Sequence, residues 1–191
     1  HAGAGEVAAR FKREARAASA VESEGIVQVF DVGDDPVVGL YMVMEFFPGR
    51  NLKRLLQEKN ALLKELAIEI GQKAGAVLLE LHLNGIVHKD VKPENILFTD
   101  SGRLKLIDLS IAQRKGGFWS TLFKKPVQGT PTYMAPEQIR NDKIDHRADI
   151  YSLGVILYEA LTGGVPFPGD NYAQVLAGHL TRAPATPLRR K

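Results

Sequence analysis

Residues 88–108 of the chain, HKDVKPENILFTDSGRLKLID, contain two short apolar runs, ILFT and LKLI, separated by a polar turn. Apolar, β-prone runs on either side of Asp-Ser-Gly-Arg predict a β-hairpin. With Ser and Gly at the tip, Thr99 would face Leu104, and Asn95 would face Asp108 at a distance of about 5 Å. The pattern therefore predicts that an amide oxygen and a carboxylate meet at the open end of the hairpin.

The residues at this open end have the chemistry of a phosphoryl-transfer site. Amide and carboxylate oxygens are ligands that suit Mg²⁺. Asp90 and Lys92 lie on the loop that leads into the same end, so a base, a cation and two metal ligands would converge. Taken alone, an Asp-x-x-x-x-Asn pattern is commonly a turn, and Asp108 alone is typical of a strand cap.

The pattern Asp90-x-Lys92-x-x-Asn95, followed by Asp108, resembles the catalytic loop and metal-binding segment of eukaryotic-type protein kinases. Two further motifs follow in the order of that family. GTPTYMAPE at the end of residues 108–137 resembles the end of an activation segment, and DIYSLG resembles the helix after it. The resemblance covers nearly the whole chain and implies a bacterial-type serine/threonine protein kinase catalytic domain.

The resemblance implies an α+β fold with two lobes, namely a truncated small β lobe with one helix and a mainly α-helical large lobe. Residues 1–47 would form a partial N-lobe and residues 48–191 the C-lobe, with the hinge at 45–49. The C-lobe would contain the catalytic loop at 88–95 and the activation segment at 108–137. Kinases normally continue with further helices, so we expect the C-lobe to be truncated.

The sequence of the amino-terminal part predicts one helix and two strands. Residues 6–21 have helical apolar spacing, and residues 26–31 and 40–45 are β-prone runs separated by a Gly-Asp-Asp-Pro loop at 33–36. By resemblance, Glu14 is the helix glutamate that pairs with a strand lysine, whereas periodicity alone leaves it as an exposed charge. Thirteen residues precede it and contain neither that lysine nor a glycine-rich loop. We therefore expect these 191 residues to lack the part of the N-lobe that covers the nucleotide phosphates.

The resemblance also assigns an ATP site. Met44 would lie at the back of the adenine pocket, the backbone of Glu45 and Phe47 would bind the base, and Leu97 would contribute to the same pocket. Glu14 would complete this set through its lysine partner.

Periodicity and capping residues predict the remaining elements. Asn51 is a candidate N-cap, Asn84-Gly85 is a helix stop, and the most apolar helix is expected to be hydrophobic on nearly every face. The predicted elements are helices through residue 58 after Asn51, over 66–81, 147–161 and 171–180, and a short buried strand at 86–87.

Two residues next to the catalytic motif are assigned structural roles. His88 could be read as a general base, but a packed, hydrogen-bonded histidine is favoured because Asp90 already occupies the base position of the family pattern. By resemblance, Asp149 accepts backbone N–H groups of the catalytic loop. Favourable charge at a helix N-terminus is an alternative account of Asp149, and both can hold.

The long segment before Pro136 carries candidate regulatory residues. Ser120 and Thr121 are either incidental hydroxyls or phosphorylation sites with Lys89 as the receiving cation. Lysine stands where phospho-regulated kinases have arginine, and it offers a point charge instead of a bidentate fork. By resemblance, Thr130 indicates serine/threonine specificity, and Glu137 pairs with an arginine that would lie beyond residue 191.

One more position departs from the family pattern. Leu109-Ser110 replaces the Phe-Gly expected after Asp108. Serine resists a positive φ, so we expect restricted flipping of this segment.

Composition limits the other possibilities. With 45% hydrophobic and 25% charged residues the 191-residue chain resembles an ordinary soluble domain, and with no cysteine it has no disulfide or thiolate zinc site. No apolar run is long enough to span a membrane, and a net charge of +3 is too small to argue for nucleic-acid binding. A cytoplasmic location is expected, and a longer protein with a membrane anchor is compatible with it.

The resemblance thus implies ATP- and Mg²⁺-dependent phosphorylation of serine and threonine hydroxyls in proteins, with little or no activity of these 191 residues alone. A kinase-like nucleotide-binding or scaffold module is the alternative. A small-molecule phosphotransferase shares the Asp and Asn pattern. A peptide-docking segment ending in Ala-Pro-Glu argues against it, because it would have no function in an enzyme that acts on small molecules.

Overall fold

The computed structural model describes residues 23–107 and 131–187. It contains five strands and five helices in these ranges, in the order β1 (Val29–Asp35), β2 (Gly39–Met44), β3 (Arg50–Asn51), α1 (Leu52–Lys59), α2 (Lys64–Leu83), β4 (Ile96–Phe98), β5 (Leu104–Leu106), α3 (Pro136–Arg140), α4 (Arg147–Thr162) and α5 (Tyr172–Thr181). A 3₁₀ turn, Pro93–Asn95, precedes β4. Several positions interpreted from the sequence lie outside the described residues, namely the helix at 6–21 with Glu14, then Asp108, Leu109, Ser110, Ser120, Thr121 and Thr130.

Strands β1 and β2 form an antiparallel hairpin whose turn differs from the predicted loop at 33–36. The first strand runs to Asp35. The Asp35 carboxylate closes the turn by accepting hydrogen bonds from the N–H groups of Val37 at 2.8 Å and Val38 at 3.0 Å. Gly39 then adopts a φ of +75°. The turn is therefore set by an Asx-type interaction a little later in the chain than the Gly-Asp-Asp-Pro signal suggests.

The glycine at position 33 serves packing instead of turning. Gly33 is paired with Tyr41 across the two strands. A Cβ at Gly33 would lie 2.2 Å from the Tyr41 ring, so the ring occupies the space that any other residue would need. The composition of residues 33–36 therefore suggests a loop, but the structure has strand at 33–35 and the turn follows at 36–38.

The second sheet has the order β3-β4-β5, and the chain at residues 25–27 runs beside β5. Val27 N–H donates to the Leu106 carbonyl at 2.8 Å, and Leu106 N–H donates to the Gly25 carbonyl at 2.7 Å. Ile26 pairs with Leu106 in parallel. The predicted strand at 26–31 is thus split between two sheets, since β1 begins only at residue 29.

The β4–β5 hairpin exists, but its predicted register is wrong by one residue. Phe98 faces Leu104, where the sequence pattern places Thr99. The reason is the loop length: Thr99 N–H donates to the Arg103 carbonyl at 2.9 Å, which leaves a three-residue loop ending in Gly102 at φ +78°. Ile107 N–H donates to the Asn95 carbonyl, so Ile107 takes the place opposite Asn95 that the predicted register assigns to Asp108.

The helices surround one hydrophobic core, and the predicted N-cap at Asn51 is confirmed. The Asn51 side chain accepts from Arg54 N–H at 2.9 Å, and the Asn171 side chain accepts from Gln174 N–H at 3.0 Å. The largest fully buried apolar side chains of this core come from α1, α2, β4, β5 and α4: Leu52, Ile70, Leu78, Leu81, Ile96, Leu106 and Ile156.

Two details of the helical part differ from the sequence-based expectation. Residues 86–87 form no strand and are half-buried, because they only connect α2 to the catalytic loop. Ile150 is 51% exposed, so α4 is not buried on every face. No helix in the described ranges has both the length and the apolar character needed to cross a membrane.

The turn of the β4–β5 hairpin gives a direct test of its register. Gly102→Ala is expected to lower the free energy of unfolding by about 1–2 kcal/mol, because a residue with a Cβ resists a positive φ. Urea denaturation measures the change. Gly154→Ala is the matched control: its Cβ would meet no atom within 4 Å, and the exposed helix position should gain up to about 1 kcal/mol. Equal effects of the two substitutions would contradict the three-residue loop.

Candidate active site

The catalytic loop is attached to the core through the carboxylate of Asp149. This side chain, near the start of α4, belongs to a residue that is 1% exposed. Its oxygens accept hydrogen bonds from His88 N–H at 2.8 Å and from Lys89 N–H at 2.7 Å. The His82 side chain of α2 lies against the same carboxylate, with Nε2 at 2.8 Å from Oδ2. One buried acceptor therefore joins two helices and the loop.

His88 is packed and hydrogen-bonded through both ring nitrogens. It is 1% exposed, its Nδ1 accepts from Asp90 N–H at 3.3 Å, and its Nε2 lies 3.1 Å from the Ile107 carbonyl. These contacts fit the tautomer with hydrogen on Nε2, which donates to that carbonyl. No ring nitrogen is left for a base, in keeping with the packed interpretation.

Lys89 has an unusual backbone conformation. Its φ is +66°, a left-handed value that costs about 1–2 kcal/mol for a residue with a side chain. Both of its peptide groups have partners, since the N–H donates to Asp149 and the carbonyl accepts from Gln138 Nε2 at 2.9 Å. The side chain is exposed.

The structure brings Asp90, Lys92 and Asn95 together. Lys92 Nζ lies 2.8 Å from Asp90 Oδ2. Asn95 Nδ2 donates to Asp90 Oδ2 at 3.1 Å and to the Asp90 carbonyl at 2.8 Å. The amide nitrogen of Asn95 is thus used internally, and no residue in the described ranges donates to its Oδ1. This oxygen has the right chemistry for a hard cation such as Mg²⁺.

The second predicted metal ligand, Asp108, lies outside the described residues. Its neighbour Ile107 is hydrogen-bonded to Asn95, which brings the chain to that side of the site. Within the described ranges no group of three or more His, Cys, Asp or Glu side chains could hold a metal. Metal binding by Asn95 and Asp108 stays a prediction.

The hinge is tied to the β4–β5 hairpin by an ion pair. Glu45 Oε2 lies 2.6 Å from Lys105 Nζ, and the hydrogen bond from Lys105 holds the pKa of Glu45 below its ordinary value. Glu45 N–H donates to the Gln28 carbonyl at 2.7 Å, and Gln28 N–H donates to the Glu45 carboxylate at 3.3 Å. The side chain and the N–H of Glu45 are therefore both used in contacts within the protein. Its carbonyl oxygen accepts no hydrogen bond from the described residues.

The other predicted ATP-site residues lie around the same hinge. Leu97 pairs with Lys105, so both side chains project from one face of the hairpin, and Lys105 reaches the hinge from there. Met44 ends β2 and is 41% exposed. Phe47 is buried, with the Arg103 guanidinium 5.4 Å from its ring centroid. Their contact with a nucleotide stays a prediction.

The segment after residue 130 is fixed to α4. Tyr133 donates from its hydroxyl to Glu159 at 2.5 Å, and the Ser152 hydroxyl donates to the Tyr133 carbonyl at 2.6 Å. Burial and the neighbouring carboxylate hold the pKa of Tyr133 well above its ordinary value, so it remains a donor. Lys53 of α1 lies 3.3 Å from the same carboxylate. Glu137 has no ion-pair partner among the described residues, and its pairing with an arginine stays a prediction.

Sequence reasoning missed three contacts of this site. His82 on Asp149, Gln138 on Lys89 and Lys105 on Glu45 join residues that are 67, 49 and 60 positions apart. A histidine in the last turn of a helix is a normal dipole partner, and glutamine at the third position of a helix is a normal cap. Nothing in those local patterns indicates the distant partner.

Known proteins resemble the chain over most of its length. A family model described as the protein kinase domain matches residues 3–187. A probable serine/threonine-protein kinase of Clostridium perfringens is 41% identical over 183 residues, which is 95% of this chain and 26% of that protein. Serine/threonine-protein kinase PknB is 39% identical over 184 residues in Mycobacterium leprae and 38% over 185 residues in Mycobacterium tuberculosis, in both cases over 95% of this chain and 30% of the relative. The chain therefore spans less than a third of the length of these curated relatives.

Asp149→Asn tests the attachment of the loop. An amide offers one acceptor oxygen and would set its NH₂ group against a backbone N–H, so the free energy of unfolding should fall by about 2–4 kcal/mol. Chemical denaturation measures the loss, and Asp170→Asn, on an exposed aspartate, should leave the midpoint unchanged. Equal midpoints for both variants would contradict the anchoring role.

The Glu45–Lys105 pair predicts a small pH dependence of stability. Because the pKa of Glu45 is lowered in the folded state, its contribution is present above the unfolded pKa of about 4.3 and is lost as the pH falls through the folded value. Glu45→Gln should cost at most about 1 kcal/mol at pH 7, and this cost should shrink as the pH is lowered below that unfolded pKa and Glu45 becomes protonated, as measured by urea unfolding. Glu24→Gln is the control on an exposed glutamate. A cost that persists in acid would show that packing, and not the ion pair, is responsible.

Proposed function

The chain belongs to the protein kinase domain family, and from this premise we propose that the protein transfers phosphate from ATP to serine and threonine hydroxyls of other proteins, with Mg²⁺. The observation that carries the proposal is the convergence of Asp90, Lys92 and Asn95 on a loop fixed by Asp149. The proposal places the domain in the cytoplasm, where ATP is available.

In this mechanism Asp90 orients the substrate hydroxyl and accepts its proton. Its carboxylate is 21% exposed, so it is held by neighbours yet open to a substrate. The Asn95 amide and Lys92 ammonium both contact Oδ2, which leaves Oδ1 without a donor in the described ranges. Oδ1 is therefore the oxygen to which the hydroxyl would donate.

Lys92 would act on the transferring phosphoryl group. Its Nζ is 2.8 Å from the Asp90 carboxylate, so a positive charge stands beside the place from which the substrate hydroxyl would attack. Mg²⁺, when bound, would neutralise phosphate charge, with Asn95 Oδ1 and Asp108 as its proposed protein ligands. The remaining ligands would be phosphate oxygens and water.

The nucleotide is proposed to bind at the hinge. Glu45 presents a carbonyl that accepts from no described residue, while Phe47 is held in place by burial and by its contact with Arg103. Met44 and Leu97 are the proposed apolar neighbours of the adenine. Glu14 is proposed to complete the nucleotide site by pairing with a strand lysine.

Lys92 together with Thr130 supports serine/threonine over tyrosine specificity, following the family pattern. Ser120 and Thr121 remain the proposed phosphorylation sites, with the exposed Lys89 as their cation. Glu137 remains the proposed partner of an arginine beyond these residues.

Two alternative functions are a nucleotide-binding module without catalysis and a small-molecule phosphotransferase. Lys89 and Leu109-Ser110 depart from the usual kinase pattern and favour a nucleotide-binding module without catalysis. A small-molecule phosphotransferase is opposed by the segment ending in Ala135-Pro136-Glu137, which resembles the peptide-docking segment of protein kinases. Phosphorylation of an aminoglycoside or of choline by the full protein would revive this second alternative.

Asp90→Asn tests the proposed function in the full-length protein. Transfer of labelled phosphate to a basic test protein should fall by roughly 10²- to 10⁴-fold, because the proton acceptor is lost, while the affinity for Mg-ATP stays the same. Asp170→Asn should keep wild-type transfer. Mg-ATP binding without turnover in the wild type would instead support the non-catalytic module, and unchanged transfer by Asp90→Asn would exclude the mechanism.

A further inference from the structure

The Gln138 side chain makes two hydrogen bonds to two different segments. Its Oε1 accepts from Ala135 N–H at 3.0 Å, which is the reciprocal half of a helix capping box. Its Nε2 donates to the Lys89 carbonyl at 2.9 Å. The first bond alone would explain a glutamine at this position of α3, but it leaves the second bond without a function.

The second bond acts on the peptide that precedes Asp90. The Lys89 carbonyl and the Asp90 N–H belong to one planar group. Gln138 holds the oxygen edge of this plane at 2.9 Å, and His88 Nδ1 holds the hydrogen edge at 3.3 Å. Two side chains from distant parts of the chain therefore fix the rotation of a single peptide plane.

This plane needs external support because of its conformation. Lys89 has a φ of +66°, and relaxation toward negative φ would rotate the Lys89–Asp90 peptide and carry the Asp90 carboxylate with it. Asp149 restrains only the two peptides before this one, through His88 N–H and Lys89 N–H. Gln138 restrains the following one, which is the peptide bonded directly to Asp90.

We propose that Gln138 is a positioning residue for Asp90, coupling the segment that begins at Pro131 to the orientation of the Asp90 carboxylate. The inference rests on the proposed phosphoryl transfer, because it assigns the carboxylate a geometry that the reaction needs. A base displaced by about 1 Å can cost up to about 10²-fold in rate.

Gln138→Glu separates the two hydrogen bonds. Glutamate keeps an oxygen to accept from Ala135 N–H, and glutamate and glutamine are the two residues typical of this position of a capping box. It loses the N–H donor and turns a carboxylate toward the Lys89 carbonyl. We expect kcat of the full-length protein to fall about tenfold, within the range that misplacement of a catalytic group produces, with KM for ATP and for the protein substrate unchanged and with only a small fall in the urea midpoint.

Two matched variants complete the design. Gln138→Met has a similar shape but loses both bonds, so it should lower kcat and also the urea midpoint. Gln57→Glu makes the same change of charge on the exposed face of α1 and should keep wild-type kinetics. Wild-type kcat in Gln138→Glu, or a fall in its midpoint equal to that of Gln138→Met, would overturn the proposal in favour of a purely capping role.

A second measurement does not depend on activity. Hydrogen exchange at the Asp90 amide should be faster in Gln138→Glu than in the wild type or in Gln57→Glu, because the peptide plane loses one restraint. Unchanged exchange would overturn the proposal. If the wild type transfers no phosphate but exchange still rises in Gln138→Glu, the proposed function fails while the restraint by Gln138 stands.

Discussion

The buried carboxylate of Asp149 is the constraint on which the site depends. A charge in an apolar interior is costly unless hydrogen-bond donors surround it. Here the donors come from His82 on α2 and from the backbone of His88 and Lys89. The carboxylate is therefore satisfied only when α2, α4 and the loop are all in their native places, so the fold of the large helical part and the shape of the loop form together.

The contacts with Asp149 determine the conformation of the catalytic loop. Lys89 is held in a left-handed conformation, and the chain then turns so that Asp90 meets Lys92 and Asn95. The Asn95 backbone accepts from Ile107, which connects the loop to the end of the β4–β5 hairpin. The polar cluster is thus supported by helix α4 on one side and by the β4–β5 hairpin on the other.

Much of this fold can be predicted from the sequence, because the signals are local. Helical periodicity predicts α2 and α4, and Asn51 and Asn171 mark helix starts that the structure confirms. The β4–β5 hairpin is predicted too, but with a register that is wrong by one residue. The stretch Asp-Ser-Gly-Arg fits a two-residue or a three-residue loop equally well, and only the left-handed Gly102 decides between them.

Contacts between distant residues leave no such local signal. Gly33 has the composition of a turn, but it is a gap that admits the Tyr41 ring. Lys105 has the pattern of an exposed strand residue, yet it reaches Glu45. The residues that flank the β1–β2 hairpin, Gln28 and Glu45, are hydrogen-bonded to each other, and Glu45 also pairs with Lys105 of β5. Both ends of the β1–β2 hairpin are therefore held together beside β5, and the proposed adenine contact at the Glu45 carbonyl would lie at this junction.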